Sequence, residues 1–133
     1  MLGTTGNDCG HLILRGGTHG ANFAAAHIQA AVGLLRAADL PPYLMVDCSH
    51  ANSGKEADRQ PAVAADLAGQ IAGGERAICG IMLESNLRDG AQDYRARPLV
   101  YGRSVTDSCL DFAKTVPVLD QLAAAARARR QIR

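Results

Sequence analysis

The 133-residue chain has little net charge: 14 basic residues against 13 acidic ones leave +1. No basic excess provides a footprint for nucleic acid, and no acidic run provides a disordered tail. No apolar stretch approaches the roughly 18–20 residues needed to span a bilayer. The opening segment, MLGTTGNDCG, lacks the basic flank and apolar core of a secretory leader. The expectation is a soluble cytoplasmic protein with neither nucleic-acid nor membrane partners. The four cysteines, Cys9, Cys48, Cys79 and Cys109, are widely spaced and form no CxxC pair. A disulfide framework and a four-cysteine zinc site both lack support. Cys48 and Cys79 lie inside apolar runs and read as small buried hydrophobes.

What the chain does have is a 47% share of hydrophobic residues, enough for a packed core and too many for a disordered segment. Three short runs are almost continuously apolar: His11–Leu14, Tyr43–Val46 and Ala77–Leu83. Continuous rather than alternating apolarity marks strands of a parallel sheet covered on both faces. Helical spacing follows each run, and the predicted helices cover Asn22–Ala38, Lys55–Ala72 and Val116–Arg130. Asp39 with Pro41 and Pro42 stops the first helix, and Gly73–Gly74 the second. Pro61 belongs in a first turn, so the regular part of the second helix starts close to it. Arg127, Arg129 and Arg130 favour the negative end of the third helix dipole. Strands alternating with helices give right-handed βαβ units on a parallel sheet, with no internal sequence repeat. Helices on one side of three strands leave the opposite sheet face open. The expected architecture is therefore part of a larger sheet or barrel.

Each run ends in polar chemistry. The first leads to Arg15-Gly16-Gly17, the second to Asp47-Cys48-Ser49-His50, and the third to Glu84-Ser85. In parallel α/β barrels the chemistry sits at these strand ends, and neighbouring strands lie about 4.8 Å apart. Imidazole with carboxylate suits a divalent transition metal, and Asp107 in the following loop offers a third ligand. Plainer readings stand beside these. His50 could be a hydrogen-bonded structural group and Glu84 an ion-pair partner. Asp107 could be a helix-start residue in the pattern Ser104-x-x-Asp107. Arg15 is suited to a bidentate phosphate or carboxylate contact, with glycines that allow close backbone approach, or to a plain salt bridge. Gly16-Gly17 is neither a P-loop nor a dinucleotide fingerprint, and no nucleophile elbow is present. Asp47 reads as an inward polar residue in want of a lysine partner.

Four ordered motifs carry a resemblance: His11-Leu-Ile-Leu-Arg-Gly-Gly17, Met45-Val-Asp-Cys-Ser-His-Ala-Asn-Ser53, Gly80-Ile-Met-Leu-Glu-Ser85 and Tyr101-Gly-Arg-Ser-Val-Thr-Asp-Ser-Cys109. With Ile71-Ala-Gly-Gly-Glu75 between them, they resemble the type I DAHP synthases (3-deoxy-7-phosphoheptulonate synthases), across essentially the whole chain. The resemblance implies the last three βα units of a (β/α)₈ TIM barrel, an incomplete barrel treated as one partial domain over residues 1–133. It implies a transferase of the shikimate route to aromatic amino acids. That reaction condenses phosphoenolpyruvate with erythrose 4-phosphate to 3-deoxy-arabino-heptulosonate 7-phosphate and releases phosphate.

The resemblance also assigns roles. His50, Glu84 and Asp107 become ligands of a divalent metal (Mn²⁺, or Fe²⁺, Co²⁺ or Zn²⁺) and so the catalytic group, and Arg15 becomes a contact to the phosphate of phosphoenolpyruvate. A complete barrel takes about 250 residues. The part of the family barrel not matched here carries a metal-binding cysteine, to which none of the four cysteines corresponds, and most of the substrate-binding cations. Ala21, where the family often has proline, and Phe112, where it often has tryptophan, are small departures. The isolated chain is therefore expected to have no synthase activity. A truncated gene product, a fragment and one half of a split enzyme are all compatible with this. So is a non-catalytic paralogue acting as an interaction or self-association module.

Overall fold

A computed structural model describes residues 3–7 and 9–132. Its elements are β1 (Leu12–Leu14), α1 (Ala25–Ala37), β2 (Leu44–Asp47), α2 (Gln60–Ala72), β3 (Ile78–Met82), β4 (Ser85–Asn86), β5 (Leu110–Asp111) and α3 (Phe112–Gln131). β1, β2 and β3 form a parallel sheet in that order. β4 and β5 make a separate two-stranded parallel pair, which sequence periodicity does not announce because each contributes only two residues. The fold is mixed α/β, with each main strand followed by a helix.

The helices lie on one face of the sheet. Ile28 and Val32 of α1, Val63, Leu67 and Ile71 of α2 and Val118 of α3 pack with Leu44, Val46 and Ile78 of the strands. The opposite face is open, as three strands with helices on one side imply. Ile13, in register with Met45, is 39% exposed, and Cys79 is exposed rather than buried. Cys48 occupies the helix side and is buried as expected. Among the described residues no helix is long and apolar enough to cross a membrane.

Two helix starts differ from expectation. α1 starts at Ala25 rather than Asn22 because Ala24 before it keeps an extended backbone, with φ −63° and ψ 155°. α2 starts at Gln60, after a 3₁₀ turn at Ala57–Arg59, and holds Pro61 in its first turn as expected. α3 starts at Phe112, four residues before the expected Val116, because Asp111 caps it by accepting from the Lys114 N–H at 2.7 Å. The capping pattern at Ser104-x-x-Asp107 therefore starts no helix, and Ser104 Oγ accepts instead from the Thr106 N–H. Arg129 does not serve the carbonyls of its own helix. Its Nη1 donates to the Glu75 and Ile78 carbonyls, tying the end of α3 to the start of β3.

Candidate metal centre at the strand ends

The carboxyl end of β2 builds most of the site. Asp47 is its last residue and is buried. A buried carboxylate needs donors, and two are present. Oδ1 accepts from the Ser49 N–H at 2.7 Å, and Oδ2 lies 2.6 Å from His50 Nδ1. Its partner is thus the histidine three residues on, not the lysine expected from sequence. A carboxylate can only accept, so Nδ1 donates to it, and in the neutral imidazole Nε2 is then the nitrogen with the lone pair. That free nitrogen lies 3.8 Å from Glu84 Oε1. His50 adopts a left-handed backbone, with φ 48°, as does Lys55, with φ 65°. The Lys55 N–H donates to the His50 carbonyl at 2.6 Å and closes the loop between them. Non-glycine residues avoid this region unless their surroundings impose it.

Glu84 follows β3 and is held at both ends. Ser49 Oγ donates to its Oε2. Its backbone is clasped by the fully buried Gln60, whose Oε1 accepts from the Glu84 N–H at 2.8 Å and whose Nε2 donates to the Glu84 carbonyl at 3.2 Å. Asp107 arrives from the loop between β4 and β5. That loop is pinned by reciprocal backbone bonds between Gly90 and Cys109 and by Gln92 donating from its backbone to the Ser104 carbonyl. One ligand atom each from His50, Glu84 and Asp107 lies within 4.8 Å of the others. These atoms face a small cavity that Ser49, Lys55 and Ser108 complete. One borderline nitrogen and two carboxylate oxygens at this spacing fit a divalent transition metal.

The structure therefore brings together three of the four predicted site residues. Arg15 is exposed at the adjacent end of β1 and is not among the residues lining that cavity. Two thiols near the site are poor ligand candidates. Burial first, and then the neighbouring Asp47 charge, push Cys48 up to about 12, and burial also raises Cys109. A wider apolar groove, at Leu12, Leu35, Leu40 and Tyr43, opens near the starts of β1 and β2, the other end from these polar groups.

Sequence reasoning missed Gln60 and Asn52. Gln60 did leave a signal, since it shares the buried face of α2 with Val63, Ala64, Leu67, Ala68 and Ile71. A polar residue at a position where the 3.6-residue period demands an apolar one calls for a buried partner. Asn52 left no such signal.

Known proteins resemble this chain in sequence and fold. The family profile described as the DAHP synthetase I family matches residues 1–119. The tyrosine-inhibited phospho-2-dehydro-3-deoxyheptonate aldolase of Schizosaccharomyces pombe is 47% identical, the match covering 96% of this chain and 36% of that protein. The Phe-sensitive phospho-2-dehydro-3-deoxyheptonate aldolase of Escherichia coli is 46% identical, covering 98% of this chain and 37% of that protein. The solved structure of phospho-2-dehydro-3-deoxyheptonate aldolase from Francisella tularensis superposes with a TM-score of 0.92 at 47% identity, over 96% of this chain and 37% of that one. The chain thus spans little more than a third of the length of these relatives. With its four motifs inside the matched region, the chain belongs to the DAHP synthetase I family.

Proposed function

We propose that this chain supplies the metal-binding, carboxyl-terminal part of a DAHP synthase, the three final βα units of a (β/α)₈ barrel. The reaction is the condensation of phosphoenolpyruvate with erythrose 4-phosphate, in a cytoplasmic setting. The observation that carries the reading is the convergence of His50, Glu84 and Asp107 from two strand ends and a loop onto one point. The barrel assignment is supported by three consecutive parallel βα units, a bare second sheet face and the match to little more than a third of a solved relative.

In this reading His50 Nε2, one Glu84 oxygen and one Asp107 oxygen hold a divalent metal. When bound, the metal supplies Lewis acidity to a substrate carbonyl oxygen. Asp47 sets the histidine tautomer, and Ser49 and Gln60 orient Glu84. Arg15 binds the phosphate of phosphoenolpyruvate by paired N–H donors and stabilises charge that grows there as the phosphate leaves. The remaining two-thirds of the relatives' length would cover the open face and add the other substrate contacts. It is the partner that this surface asks for, ahead of a second copy of the chain.

Mn²⁺ calorimetry on the purified chain tests the metal assignment. Micromolar binding that disappears in His50→Ala is the expected result, and binding that survives His50→Ala overturns it. Steady turnover of both substrates by the chain alone would overturn the need for the missing part. A defined oligomer on size exclusion, in chain that binds no Mn²⁺, would favour a self-association module instead.

A further inference from the structure

We infer that Asn52 is the positioning residue that sets Arg15 against the metal group, by tying the end of β1 to the end of β2 through one buried side-chain amide. The inference rests on the reading of Arg15 and His50 given above and adds to it the element that fixes their relation.

Asn52 is 6% exposed. An asparagine amide offers two donors and one acceptor group, and all are used across chain segments. Nδ2 donates to the Leu14 carbonyl at 3.1 Å and to the Asp47 carbonyl at 2.7 Å. Oδ1 accepts from the Asn22 N–H at 2.7 Å. The Asn22 side chain passes the tie onward, its Oδ1 accepting from the Gly16 N–H at 2.7 Å. Arg15 is therefore bracketed. The carbonyl of the residue before it binds Asn52 directly, and the amide of the residue after it binds Asn52 through Asn22.

On the other side, the Asp47 carbonyl held by Asn52 belongs to the residue whose carboxylate holds His50. One side chain thus links the backbone that presents the anion-binding cation to the backbone that presents the metal ligand. The two loops also touch closely. Gly16 has φ +73°, and a Cβ there would lie 2.7 Å from Ala51 Cβ and 3.0 Å from the Asn52 nitrogen. The parallel sheet alone does not set this relation, because its ladder pairs Leu14 with Val46 and ends before Arg15.

An aspartate has nearly the same shape but can only accept, so Asn52→Asp would turn a carboxylate toward two carbonyl oxygens. Asn22→Ala is the milder variant, removing only the Gly16 tie. Three readouts on the purified chain separate the possibilities: backbone amide hydrogen exchange, Mn²⁺ affinity, and the affinity of the Mn²⁺-loaded chain for phosphoenolpyruvate. Asn22→Ala should speed exchange at Gly16 about tenfold or more while core-strand amides hold their protection. It should weaken phosphoenolpyruvate binding about tenfold and leave Mn²⁺ affinity within about twofold, because the Asp47–His50 contact is untouched. Asn52→Asp should speed exchange at both Gly16 and Asn22.

The double variant Arg15→Ala/Asn22→Ala should bind phosphoenolpyruvate no more weakly than Arg15→Ala alone, since a residue acting through Arg15 has nothing to position once Arg15 is gone. Additive losses, or unchanged Gly16 exchange in Asn22→Ala, overturn the inference. Arg15→Ala binding phosphoenolpyruvate as tightly as the parent would instead overturn the assignment of Arg15 itself. The exchange data distinguish that failure, because they report the tie whether or not the ligand uses Arg15.

Discussion

Asp47 Oδ2 lies 2.6 Å from His50 Nδ1, and this contact decides which ring nitrogen of His50 faces Glu84 with a lone pair. The contact is buried on the Asp47 side, where the carboxylate is 2% exposed and also accepts from the Ser49 N–H. Asp47→Asn preserves size but places an amide donor within reach of Nδ1. The proton would then move to Nε2 and block the proposed metal-binding position. Mn²⁺ affinity is expected to fall by about 10–100-fold, the range for loss of an orienting partner. Calorimetry on Asp47→Asn beside the parent chain checks it, and equal affinities would show that the tautomer is set in some other way.

Gln60 holds Glu84 by its backbone rather than by its carboxylate. Gln60→Leu keeps most of the volume and leaves the Glu84 N–H and carbonyl without their partner. A buried polar group stripped of its hydrogen bond costs about 1–3 kcal/mol. Urea unfolding should show a midpoint lowered accordingly, with an unchanged slope. A variant as stable as the parent would mean that water replaces the amide.

The strand-end positions of Arg15, His50 and Glu84 are legible in sequence because each follows a short apolar run just where a βα unit leaves its strand. Position along the chain then stands in for position in space. Asp107 is less so, because its loop is placed by contacts such as Gly90 with Cys109 that have no period. Asn52 is illegible for the same reason: its three partners, Leu14, Asp47 and Asn22, lie on different segments and obey no repeat. α3 starts before Val116 because the Asp111 cap lets the helix begin at Phe112, which puts Pro117 inside it. Cys79 misleads because an apolar strand implies cover on both faces, and here one face is bare.

Two glycines separate backbone constraint from mere crowding. Gly16 is left-handed, with φ +73°, and an added Cβ would meet the backbone carbonyl carbon of Ala51 and nitrogen of Asn52 at 3.0 Å each. Neither can move without shifting the loop that carries His50. At Gly80 an added Cβ would meet Met45 Cε at 2.8 Å, the tip of a flexible side chain on the open sheet face. Gly16→Ala is therefore expected to destabilise by more than about 2 kcal/mol, and Gly80→Ala by less than about 1 kcal/mol. Urea unfolding of the two variants side by side decides it, and the reverse order would refute this account of the β1 turn.

The cysteines test which sheet face is bare. Cys79 is on β3 and exposed, Cys9 is exposed near the chain start, and Cys109 is half-buried. Cys48 sits one residue beyond β2 and has no exposed surface. Burial first, and then the Asp47 charge, push its thiol from 9.0 up to about 12, so at pH 8 almost none of it is the reactive thiolate. Alkylation of the native chain at pH 8, followed by peptide mass spectrometry, should modify Cys9 and Cys79 readily and Cys109 more slowly. Cys48 should react only at the rate of unfolding and become equivalent to the others in denaturant. Adding the complementary part of the barrel should then protect Cys79 while leaving Cys9 reactive, because only Cys79 lies in the sheet that the added part would cover. Protection of Cys79 in the chain alone would mean that the sheet is already covered by a second copy, and the protection should then be lost on dilution.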